Sequence, residues 1–364
     1  MKIPEETIHY LKSFLMSSDN EEDLSAFDAI PDHEEMLETA FRMLSRYDEY
    51  EWKGQLDKHS RFRPEDSWLG SRGLMQTPVL DEYTERIYRY LGREKPHRES
   101  KVYLTHDVDS VVRYRRLRGF AGGVYRALRG VKGYKLQEVF GALTDVRKDP
   151  DFTFPLLKEI DAELPEAEVI YFLKPNVKRF TALDRPVYKH AGKDFERMMG
   201  IVRDGACSVC TGLHSLYYTY DHTESLKMQN TEEWRLHRAH YLRVLPPEKM
   251  HLYCEAGITD DFSLGYASQP GFRLGTTRAV KCIDPRNGEL LPLILHPLTI
   301  MDTTLSDERY LGLGYEDAYK LCVSLIDTTL RYEGDVTLLF HNGSFKSGYN
   351  EKLYRALIEY LRSK

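Results

Sequence analysis

From Lys101 onward the chain alternates short β-rich runs with longer segments of helical period, and this pattern constrains the fold more than any other feature. The runs are KVYLTH, EVIYFL, ACSVCTGLH, LPLILH and VTLLFH, dense in the branched and aromatic residues that suit a pleated sheet. Strands alternating with helices build a parallel α/β sheet. Roughly seven such units over roughly 260 residues fit a distorted (β/α) barrel better than an open dinucleotide-binding sheet. The open sheet wants a glycine fingerprint straight after its first strand. Here the GxG pair, Gly312 and Gly314 in YLGLGYED, follows no strand and lacks the third glycine, so it reads as a turn.

Residues 1–98 read differently, as a charge-rich helical extension that packs on the barrel of residues 99–364. Apolar positions recur at helical spacing in Ile8, Leu11 and Leu15, in Met36, Leu37, Ala40, Phe41 and Leu44, and in Tyr83, Ile87 and Leu91. Between the second and third sets, residues 59–79 mix Gly, Pro and Arg with Trp68, which predicts an ordered loop lying on something larger. Gly92, followed by Arg93, Glu94, Lys95 and Pro96, closes the third helix.

Charge and cysteine usage narrow the function. Fifty-one Lys and Arg against fifty-seven Asp and Glu give a net charge of -6, which argues against a nucleic-acid partner. Glu5, Glu6 and His9 break up the N-terminus, so no secretory signal is expected, and no run approaches the ~18 apolar residues of a membrane span. A cytoplasmic protein without a transmembrane segment is expected, with peripheral membrane contact left open. Cys207 and Cys210 form a CxxC, but the chain has five cysteines and no second such pair, so structural burial is the expected role.

In a barrel, catalytic groups gather at the C-terminal ends of strands. One run here ends Thr105, His106, Asp107, Val108, Asp109; another ends Gly212, Leu213, His214; the last ends Phe340, His341, Asn342. Two carboxylates and two histidines at one end can hold a divalent metal and still leave a base and an acid. The bland alternative is a salt-bridged or capping pair. Other chemistries lack their signatures, since no GxSxG, HExxH or glycine-rich phosphate loop is present.

These residues carry a resemblance. VYLTHDVD (102–109) resembles the first motif of the polysaccharide deacetylase (NodB-homology, family-four carbohydrate esterase-like) family, in a bacterial branch with a THDVD motif. GLHS (212–215) is similar to its histidine motif, RAHY (238–241) to its Arg-x-Pro-Tyr motif, and VTLLFHN (336–342) to its final strand. GFRLGTT (271–277) and LPLILHPLTIMDTTL (291–305) also look like stretches of that branch. The resemblance implies a distorted (β/α) barrel and metal-dependent removal of an acetyl group from an N-acetylated sugar, in cell-surface polysaccharide metabolism. It implies Asp107 as general base, Asp109 and His214 as ligands of a divalent metal, zinc first, and His341 as the acid that protonates the leaving amine. The Tyr241 backbone N–H would hold the oxyanion, and Arg238 and Asp261 would orient the base and the acid.

One departure matters. Where the family places a second histidine, four residues beyond His214, this chain has Tyr218, and a phenol must lose a proton of pKa about 10 before it can bind metal. His240, inside the RAHY motif, is the first candidate for the missing ligand and His222 the second, while His296 reads as a core or rim residue. The departure also opens a competing reading, a catalytically inactive sugar-binding or scaffold protein. A metal-free glycosidase is disfavoured, because Asp107 and Asp109 project from one strand end and glycosidase acids flank the bond. Residues 113–135 hold eight cations and no acid. They read either as a solvated helix and loop or as an anion-binding lip for a phosphorylated, nucleotide-linked or lipid-linked sugar.

Overall fold

A computed structural model describes residues 3–204 and 208–364. Nine strands form one sheet: β1 (Val102–Val108), β2 (Glu168–Leu173), β3 (Ser208–Ser215), β4 (Leu236–Ala239), β5 (Asp260–Leu264), β6 (Val280–Ile283), β7 (Leu290–Pro297), β8 (Ile300–Met301) and β9 (Val336–Leu339). Their order is β6-β7-β5-β4-β3-β2-β1-β9-β8. Every pairing is parallel except β6 with β7. The five runs read from the sequence are β1, β2, β3, β7 and β9. Four further strands, β4, β5, β6 and β8, lie outside those five runs.

The sheet curls. On a flat sheet β1 and β5 would stand about 19 Å apart, four strand spacings. Instead the Tyr103 ring of β1 meets Phe262 of β5 at 5.3 Å and His296 of β7 at 5.4 Å. Tyr103 and Phe262, with Ile170, Phe172 and Leu236, make a small apolar plug inside the curl. The edge strands β6 and β8 are not hydrogen-bonded to one another, so the expected barrel is a curled, open sheet rather than a closed ring. Gly212 is required on this inner face, because a Cβ there would lie 2.7 Å from the Phe172 ring and 2.8 Å from the Leu236 carbonyl oxygen.

The N-terminal region is helical at Glu5–Met16, Glu21–Phe27, His33–Leu44, Tyr47–Glu51 and Val79–Leu91. Its apolar residues run into the same core as the barrel helices, with Leu11, Leu44 and Ile87 in one continuous cluster with Ile326 and Leu357. Charged ties reinforce the contact. Glu49 bridges Arg46 at 2.5 Å and Arg273, from the strand-bearing region, at 2.8 Å. Burial would raise the Glu49 carboxyl, but Arg273 and Arg46 outweigh it and hold the pKa at about 2. Replacing Glu49 by Ala leaves two buried guanidiniums uncompensated and should cost about 3–5 kcal/mol. A urea midpoint equal to that of the native protein would show that the tie is dispensable. Because the native pKa is depressed from 4.5 to about 2, this contribution is complete above pH 4.5 and is lost as pH falls through 2.

Candidate metal and acid–base site

Alternation along β1 sets the site. Side chains on a strand point to opposite faces with a period of two, so Tyr103, Thr105 and Asp107 face the inside of the curl, with Asp109 next in the series just past the strand. Leu104, His106 and Val108 face the helices. His106 is buried there, its Nδ1 near the Phe340 carbonyl oxygen at 2.9 Å and its Nε2 near Asp161 at 3.2 Å, away from the chemistry. Register then carries the pattern across the sheet, since His214 of β3 pairs with Arg238 of β4 and both face inward.

Asp109, His214 and His240 offer ligand atoms that all lie within 4.8 Å of one another. His214 is fully buried, and its Nδ1–H donates to the Arg238 carbonyl oxygen at 3.1 Å. That fixes the tautomer with a bare Nε2, which has no hydrogen-bond partner among the described residues and lies 3.7 Å from Asp109 Oδ1. Burial pushes the His214 pKa down, keeping the ring neutral and ready to ligate. His240 is oriented in the same way, with Nδ1 3.1 Å from the Asp184 carboxylate and Nε2 3.0 Å from Asp109 Oδ1. A carboxylate behind a ligating histidine is the usual support of a metal site. Burial would raise the Asp109 carboxyl, but Lys174, followed by His240 and His214, holds it well below the carboxylate range.

Asp107 and His341 sit alongside. Asp107 Oδ2 lies 3.8 Å from His214 Nε2 and 3.9 Å from His341 Nε2, between the ligand cluster and the second histidine. Arg238, fully buried over the Phe172 ring, donates from Nη2 to Thr105 Oγ1 at 3.0 Å and holds Nη1 3.5 Å from Asp107 Oδ1. His341 Nδ1 stands 2.7 Å from Asp302, which also accepts the His341 backbone N–H at 2.9 Å. Burial would lower the imidazole, but the Asp302 charge and hydrogen bond outweigh it and push the pKa up to about 10. Tyr241 adopts a left-handed backbone, φ 62°, an uncommon state for a side-chain-bearing residue that clusters at functional sites.

A cleft of about 470 Å³ opens over these groups, lined by Asp107, Asp109, His240, Tyr241 and His341. The N-terminal region reaches it too. Arg61 donates to the Tyr241 carbonyl oxygen at 2.7 Å and to the Tyr310 hydroxyl at 3.3 Å, and the His59 ring packs 5.0 Å from that of Tyr241.

Some sequence expectations need correction, and others agree with the structure. Asp261 pairs in register with His237 of β4 and faces the helices, bonded to His237 Nδ1 at 2.6 Å and to Ser263. It orients neither Asp107 nor His341. Asp302 takes the place assigned to it, although the residue lay unselected within LPLILHPLTIMDTTL. His222 is exposed and stacked on Tyr218 at 4.0 Å, outside the ligand cluster. His296 is a core residue, in line with its reading from the sequence, stacked on Phe262 and 2.9 Å from Asp260. Cys210 is exposed rather than buried, and Cys207 lies outside the described residues. In the basic stretch, Arg113 pairs with Asp151 and Arg115 with Asp194, so these two cations have counter-charges, while Arg116 bonds the Val187 carbonyl oxygen. Lys174 was missed although a strand-end signal marked it, since it directly follows β2. Asp184 had no signal at all.

Residues 7–96 match a family of unknown function (DUF7033). No curated protein matches the chain. Among solved structures, one described as a "putative polysaccharide deacetylase from Mycobacterium smegmatis" matches at 14% identity and a TM-score of 0.42, covering 73% of this chain and 86% of that one. At this score the likeness decides nothing about the site. No helix among the described residues is long and apolar enough to cross a membrane.

Proposed function

We propose that the cleft is the active site of a metal-dependent hydrolase of the polysaccharide deacetylase type, removing an acyl group from the nitrogen of an N-acylated sugar. The convergence of His214 Nε2 and His240 Nε2 on Asp109, each with its other ring nitrogen already bonded, carries the reading. Two imidazoles and a carboxylate are a donor set suited to zinc with one position left open. When bound, such a metal supplies a water of lowered pKa and polarises the scissile carbonyl. Asp107, placed between the ligands and His341, takes the proton of the attacking water. His341, held protonated by Asp302, delivers a proton to the departing nitrogen. The Tyr241 backbone N–H stabilises the oxyanion from the cleft wall.

A second reading has its own observation. Lys174 is buried, and its ammonium lies 2.9 Å from Asp109 Oδ1, where it can neutralise the carboxylate without any metal. That arrangement favours a sugar-binding scaffold that has given up catalysis. Protein purified without added metal should contain one equivalent of zinc or a similar divalent ion and release acetate from N-acetylated saccharides, and chelation should abolish that release. Metal-free protein that takes up no zinc in a chelator competition would support the scaffold.

A further inference from the structure

We propose that the helical hairpin of residues 117–144 docks on an anionic lipid surface, holding the protein at a membrane with its cleft beside the lipid. The hairpin consists of the helices Leu117–Leu128 and Leu136–Thr144 and the loop between them. Seven of the eleven large hydrophobic side chains exposed among the described residues fall within it. On the first helix Leu117, Tyr125 and Leu128 recur at a spacing that puts them on one side, and Leu117 and Leu128 are 86% and 71% exposed. Leu136, Phe140 and Leu143 do the same on the second helix, and Val131 is exposed in the loop. Of these, Phe140 also packs its ring 5.5 Å from that of Phe120. The two helices meet on a separate small cluster of Val139, Ala142 and Tyr114, the last just before the hairpin, with Phe120, Val124 and Tyr134 packed against them.

Charge selects the occupant. Residues 117–144 contain five cations, Arg118, Arg126, Arg129, Lys132 and Lys135, against the single acid Glu138, in a chain whose net charge is -6. All five are exposed, and among the described residues none forms an ion pair. Arg129 and Arg126 instead lie over the rings of Tyr125 and Tyr134. Apolar residues that enter the headgroup boundary, flanked by cations that meet anionic headgroups, are the two signals that together hold a protein on a bilayer. A symmetric contact with a second copy would set cations against cations.

The hairpin is also tied to a turn that lines the cleft. Lys346 donates to the Gly133 carbonyl oxygen in its loop at 2.7 Å, and Lys346 belongs to the turn Asn342–Ser347, whose residues Asn342, Gly343 and Ser344 line the cleft. The docking holds whatever reaction the cleft performs.

Sedimentation of the full-length protein with vesicles tests the proposal. It should pellet at low salt with mixed phosphatidylcholine–phosphatidylglycerol vesicles and stay in solution with phosphatidylcholine alone. Leu117→Gln combined with Leu128→Gln, both at exposed positions, should leave the melting temperature unchanged and weaken partitioning by at least about tenfold. Arg118→Gln, Arg126→Gln and Arg129→Gln should each weaken it by roughly fivefold and flatten the salt dependence. Native protein that ignores anionic vesicles, or a double leucine variant that binds as well as native, overturns the proposal. So does a native dimer that the double variant dissolves, which would make a second copy the occupant.

Discussion

Asp109→Asn is expected to lose metal and turnover together, whereas Asp107→Asn keeps the metal and loses turnover by about 10²–10⁴-fold, the usual worth of a positioned base. The two carboxylates share a strand face but not an environment. Asp109 Oδ1 is 3.0 Å from His240 Nε2 and 3.7 Å from His214 Nε2, at the point where the ligand atoms converge. Asp107 is held near Arg238 and lies toward His341. In Asp109→Asn the Lys174 ammonium keeps backbone acceptors at Asp109 and Asp184, 3.1 Å and 3.2 Å away, so the variant should still fold. Metal analysis after dialysis, read beside turnover in excess zinc, checks the pair. Equal metal loss in both variants would make Asp107 a ligand and remove it as the base.

Asp302→Asn should move the alkaline limit of activity down by several pH units and cut turnover at pH 8 more than tenfold. Burial lowers the His341 pKa, but Asp302, with further help from the Asp107 and Asp109 charges, raises it from 6.5 to about 10, so at pH 8 the imidazole carries the proton it must deliver. With a neutral amide in its place the ring returns toward the ordinary histidine value, and most molecules lack that proton at pH 8. Stability follows the same sign. A raised pKa contributes fully below 6.5 and is lost as pH rises through 10, so native protein should weaken over that window and the variant should not. NMR titration of His341 reads the shift directly, and an alkaline limb unchanged by the substitution would remove His341 from the role of acid.

Much of the site was legible because strand alternation is a local property. Thr105, Asp107 and Asp109 share a face by spacing alone, and the ends of β1, β3 and β9 could be read as one rim once the runs were recognised as parallel strands. The same rule, applied to the end of β2, would have found Lys174. Asp261 misled because its motif said nothing of which face it occupies. Its register with His237 turns it outward, and that register depends on where β4 begins.

The sequence by itself therefore determined the α/β class, the helical N-terminal region and the strand ends that gather polar groups, because period and order are written along the chain, while the set Asp109, His214 and His240 was what the family resemblance implied. Only the tertiary structure decided that Asp302 rather than Asp261 supports His341, that Asp184 stands behind His240, and that Lys174 competes for Asp109. It also decided that Arg61 and His59 of the N-terminal region close over Tyr241. Each of these contacts joins residues distant in sequence, and the curl of the sheet, which sets such distances, arises from the packing of whole strands and leaves no mark in any local pattern.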